Sequence, residues 1–95
     1  MTNLPLKTVL FMTIHDAGTD GIWENEAVDN MLASDNVGNE AYWRDMAKFW
    51  LSEMAGNGVI AVTEQKDDDQ YYGRPSTLSK FTITDLGIYR RNTIL

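Results

Sequence analysis

The stretch that most constrains this chain is Glu40–Ala55, EAYWRDMAKFWLSEMA. At 3.6 residues per turn, Trp43, Met46, Ala47, Trp50, Leu51 and Met54 fall on one broad apolar face. Glu40, Arg44, Lys48 and Ser52 follow at steps of four as a polar stripe, with Glu40 oriented to pair with Arg44. Asn39 is placed to cap the helix, because its side-chain oxygen can accept from a free amide in the first turn. Gly56-Asn57-Gly58 stops it, since Gly and Asn tolerate the left-handed backbone that closes helices. A helix this apolar needs other elements around it, so the segment predicts a central core helix. Tyr42 and Phe49 flank the apolar face and read either as core or as a surface for a dimer or partner.

The 95 residues fit one domain, 1–95, and 43% hydrophobic content with three Trp, four Tyr and three Phe is enough for a core. The absence of cysteine excludes disulfides, thiolate metal sites and a cysteine nucleophile. No segment approaches the roughly 20 apolar residues of a membrane span, and the N-terminus lacks a secretory pattern. The expectation is a cytoplasmic protein without membrane contact. Asp and Glu number 14 against 8 Lys and Arg, a net charge of −6. The average field repels nucleic acid, so any duplex contact requires a local basic patch.

In chain order, Pro5 suits a first helical turn. Leu6, Val9, Leu10, Thr13, Ile14 and Ala17 then mark an inward face, Lys7, Phe11 and His15 lie on another side, and Gly18 ends the helix. His15 reads as a helix-end residue favoured by the carbonyl dipole, with Asp16 pointing elsewhere. Thr19-Asp20-Gly21 is a turn. Ile22-Trp23-Glu24 is a short strand or packed linker. Asn25 is the expected cap of a second helix, Glu26 to about Ala33, which buries Ala27, Val28, Met31 and Leu32. After Gly58 the period changes. Val59–Thr63 and Lys80–Thr84 read as two strands of an antiparallel hairpin, joined by a long polar loop from Lys66 to Ser79. Thr84 caps a last helix, with Leu86, Tyr89 and Ile94 facing inward.

The order helix, short strand, helix, turn, helix, hairpin, helix resembles a winged helix-turn-helix domain, an α+β fold with a three-helix bundle, a two- or three-stranded wing sheet and a C-terminal helix. The residues that carry the resemblance are the junction Leu51–Ile60, the segment Gly73-Arg74-Pro75 and the exit Lys80–Gly87, similar to small regulators of the PadR and MarR type. The resemblance implies that Glu40–Ala55 is a recognition helix. Arg44, Lys48 and Ser52 would enter the major groove of double-stranded DNA. Arg74 would reach a minor groove, while Lys66 and Lys80 would touch phosphates. It implies a transcriptional regulator acting as a homodimer, with Phe11, Tyr89 and Ile94 as contacts.

Plain structural readings stand beside each of these. Arg44 and Lys48 read equally as solvated partners of Glu40 and Asp45, and Gly73-Arg74-Pro75 as turn chemistry. Asp67-Asp68-Asp69 reads as a solvated tip, without the spacing of a calcium loop. Tyr71-Tyr72 reads as packing of the loop onto the hairpin. No catalytic constellation, metal set or cofactor motif emerges, so an enzyme is not expected. The second functional reading is an acidic winged-helix module that binds protein rather than DNA.

Overall fold

The computed structural model describes residues 5–35 and 38–94, apart from the side chains of 93 and 94. Among these residues the elements run α1 (Leu6–Ala17), a 3₁₀ turn (Gly18–Asp20), β1 (Ile22–Trp23), α2 (Glu24–Ala33), α3 (Glu40–Gly56), β2 (Ile60–Asp68), β3 (Ser76–Ile83) and α4 (Asp85–Ile94). The architecture is α+β, with four helices and a three-stranded antiparallel sheet in the order β1-β3-β2.

The apolar stripes of α1, α2 and α3 meet in one core. Leu10 and Ile14 of α1 pack with Ala27, Val28, Met31 and Leu32 of α2 and with Ala47, Leu51 and Met54 of α3. Ile60 and Phe81 close this core from the sheet, and Trp43 and Trp50 pack on its margin. Burial of these side chains is the main favourable term, at about 1.5–3 kcal/mol for each large one. Phe11 differs from its expected place on another side of α1. It is 8% exposed and belongs to the core, because the α1 face that meets α2 and α3 is wider than the stripe drawn from spacing alone.

The caps of α3 are those the sequence predicts. Asn39 Oδ1 accepts from the Tyr42 amide at 3.3 Å, and Gly58 at φ 78 turns the chain toward the sheet. Helix α2 begins earlier than expected, at Glu24, with Trp23 rather than Asn25 at the cap position. Both long strands run well beyond the apolar segments that announce them. They pair from Ile60↔Ile83 to Asp68↔Ser76, with an irregularity at Thr63, so the connecting loop is only residues 69–75. Helix α4 is joined to the hairpin through Thr84, whose hydroxyl donates to the Gly58 carbonyl at 2.5 Å and accepts from the Gly87 amide at 3.0 Å. Leu86 and Tyr89, expected to face inward on α4, are exposed instead. Among the described side chains of α4, only Gly87, which has no Cβ, lies close enough to the strand junction to be buried.

Candidate interaction surface on the third helix and the hairpin loop

Helix α3 has an inward face, a flank toward the hairpin and an outward face. Arg44 and Lys48 lie on the flank. The loop between β2 and β3 folds over them, anchored by its own turn chemistry. Asp68 Oδ1 accepts from the amides of Gln70 (3.3 Å) and Tyr71 (2.9 Å), and these bonds hold its carboxyl below the usual carboxylate range. The turn delivers Tyr71 and Tyr72 side by side, edge to face at 4.8 Å, onto α2 and α3.

The centre of the contact is Glu24, a carboxylate only 2% exposed. Its Oε1 accepts from the Ser79 amide at 3.1 Å. Its Oε2 accepts from the Tyr72 hydroxyl at 2.6 Å and from Lys48 Nζ at 3.0 Å. One side chain therefore joins the β1–α2 corner, β3, the loop and α3. A buried charge is tolerated only when paired and hydrogen-bonded in this way. Lys48 also lies 4.8 Å over the Tyr72 ring and donates to the Thr77 carbonyl at 3.2 Å.

A second cluster sits beside the first. Arg44 donates to Asp29 at 3.0 Å and to the Tyr71 hydroxyl, lies 4.8 Å over the Tyr71 ring, and pairs with Glu40 at 3.7 Å. Burial opposes the Arg44 charge, but the hydrogen bond to Asp29, together with Tyr71 and the charges of Asp29 and Glu40, outweighs it and raises its pKa further. Tyr71 donates to Asp29 at 2.8 Å, with the Asn25 carbonyl at 3.2 Å. Burial, then the hydrogen bonds to Asp29 and Glu24 respectively, push the pKa of both tyrosines well above 10.

The remaining residues assigned by resemblance to DNA contact fall as follows. Arg74 pairs with Asp45 at 3.1 Å, Lys80 with Glu64 at 3.3 Å, and Lys66 lies 4.3 Å over the Trp23 ring. Ser52 is exposed on α3. Arg44, Lys48 and Arg74 are thus brought together around Tyr71 and Tyr72, but each is held by an acidic side chain of the same chain. Of the residues assigned to a dimer contact, Phe11 lies in the core. It lines a cleft of about 310 Å³ with Lys7, Met54, Val59 and Arg90. Tyr89 is exposed, and the Ile94 side chain is outside the described residues.

The outward face of α3 carries no cation. It presents Tyr42 (50% exposed), Phe49 (60% exposed), Asp45, Ser52 and Glu53. The Glu24 and Tyr72 contacts left no readable mark in the sequence: a single Glu after a short strand and a Tyr pair in a polar loop have no periodicity. His15 Nδ1 lies 3.2 Å from Asp16 Oδ1, although neighbouring helical positions were expected to diverge. Among the described residues, no group of three His, Cys, Asp or Glu is arranged to hold a metal ion, and no helix is long and apolar enough to cross a membrane.

This is an α+β chain whose third helix is locked to a β-hairpin by ion pairs and tyrosines. No protein-family model, curated protein or solved structure matches it.

Proposed function

We propose that this chain is a winged-helix domain that serves as a protein-interaction module, with the outward face of α3 as its contact surface. The element order and the strand order β1-β3-β2 support the winged-helix reading. The observation that carries the function is the placement of charge on α3. Arg44 and Lys48 close the chain's own polar cluster, while Tyr42 and Phe49 stand in solvent between Asp45 and Glu53. A surface meant for phosphates gains affinity by releasing counterions through free cations. Here the exposed groups that α3 itself presents are aromatic and acidic, its two acids being paired with Arg74 and Lys7 from neighbouring elements, and exposed aromatics are the usual anchors of protein contacts.

The clustering of Arg44, Lys48 and Arg74 favours a second reading, a dimeric DNA-binding transcriptional regulator in the cytoplasm. Titration of a fluorescently labelled DNA duplex between about 50 and 200 mM salt decides between the two. The interaction reading predicts no saturable anisotropy change even at the low-salt end. Saturable binding that weakens steeply with salt overturns it in favour of the regulator.

A further inference from the structure

Tyr42 and Phe49, seven residues or two turns apart, stand exposed on the outward side of α3, and the half-buried Met46, expected on the inward face, sits between them at its margin to complete a ridge at i, i+4 and i+7. From Tyr42 to Glu53 it runs about 17 Å, at about 1.5 Å per residue. Tyr42 stands edge-on to Trp43 at 4.9 Å, and Trp43 packs beside Trp50 at 6.1 Å. Tyr42 is therefore held against a tryptophan pair that packs on the core, and a partner would lose little of its binding energy to ordering that ring. Acidic side chains border the ridge: Asp45 on one side and Glu53 on the other, each in an exposed ion pair, with Arg74 and Lys7 respectively. Exposed pairs of this kind are worth about 0–1 kcal/mol, so an arriving cation can share or displace the resident one.

Building on the interaction reading, we propose that this ridge receives an amphipathic helix with basic flanks from a different protein. A helical ridge with anchors at i, i+4 and i+7 packs best against a helix carrying apolar residues at the same spacing. Charge selects the occupant. A second copy of this chain would bring another molecule of net charge −6 against Asp45 and Glu53, and DNA or an anionic bilayer would set phosphates against them. A partner with lysines or arginines on both sides of its apolar stripe meets complementary charge along the ridge, on a chain of net charge −6.

The probe is a synthetic helical peptide with leucines at i, i+3, i+4 and i+7 and lysines on both flanks, titrated into the full chain while tryptophan emission is followed. A second peptide carries glutamates in place of the lysines. The lysine peptide saturates the signal, weakens as salt is raised, and binds at least about tenfold more tightly than the glutamate peptide. Phe49→Ala weakens it by a similar factor. Because Phe49 is exposed, that variant keeps the wild-type circular dichroism. Failure of the lysine peptide to saturate, equal affinity for the two peptides, or an unchanged affinity in Phe49→Ala overturns this partner assignment. Such a result leaves the broader interaction reading standing so long as the duplex titration is negative; a positive duplex titration overturns both.

Discussion

The Tyr72 hydroxyl donates to the buried Glu24 carboxylate at 2.6 Å, across 48 residues of sequence. This bond fastens the hairpin loop to the start of α2, and the same carboxylate oxygen takes Lys48 from α3. Glu24→Ala leaves Lys48, the Tyr72 hydroxyl and the Ser79 amide without their shared acceptor. The expected cost is about 3–5 kcal/mol, as for removing one partner of a buried pair. Tyr72→Phe removes a single donor and costs about 1–3 kcal/mol. Urea unfolding with unchanged m-values measures both.

The same tyrosines make stability sensitive to alkali. Burial and hydrogen bonds to Glu24 and Asp29 raise both phenol pKa values in the folded chain above the ordinary 10.0. The unfolded chain then releases protons that the folded chain keeps. Stability is fully present below pH 10 and falls as pH rises above it. Denaturant midpoints taken from pH 8 upward should therefore drop beyond about pH 10. In the Tyr71→Phe, Tyr72→Phe double variant, less stable at neutral pH, that alkaline slope should be shallower.

Glycine positions separate close packing from open surface. A Cβ on Gly87 would run into the Val59 carbonyl oxygen and the Ile83 side chain, at the point where α4 crosses the strand junction. Gly87→Ala is expected to cost about 1–3 kcal/mol. Nothing lies within 4 Å of a Cβ on Gly56, which ends α3. Gly56→Ala is expected to be neutral or to stabilise by up to about 1 kcal/mol through helix propensity. Thermal unfolding of the two variants, run side by side, checks the contrast.

Helix α3 offers a second contrast between its faces. Leu51, 1% exposed at the centre of the core, should cost about 2–5 kcal/mol when cut to alanine. Phe49→Ala, two residues away, should change stability by no more than about 0.5 kcal/mol. An equal loss in both would mean that Phe49 is core and that the outward face is not a free surface.

The helical part of this fold is legible because helix periodicity is. The spacing of Ala27, Val28, Met31 and Leu32 gives the buried face of α2, and Asn39 and Thr84 cap the helices they were expected to cap. The strands are only half legible. Their apolar ends, near Ile60 and Phe81, mark them, but Glu64–Asp68 is polar and mostly exposed, and its partner Ser76–Lys80 buries Leu78 and Ser79 in succession, so neither segment alternates. The Glu40–Arg44 pair follows from spacing, since both lie on one helix. The partners of Lys48, Arg74 and Tyr72 do not, because each is reached across 24 to 48 residues of chain by the fold itself. Stepwise spacing also groups Arg44 and Lys48 with Ser52 as one outward stripe. The rotation of α3 instead turns the two cations toward the hairpin and leaves Tyr42 and Phe49 outside.

That rotation is tested most directly by a double-mutant cycle between Lys48 and Glu24. Lys48→Met, Glu24→Gln and the double variant are compared with the parent chain by urea unfolding. Contact at 3.0 Å beside a buried carboxylate predicts a coupling energy of at least about 1 kcal/mol. Additive effects, with a coupling near zero, would put Lys48 in solvent, return a free cation to the α3 surface and contradict this account.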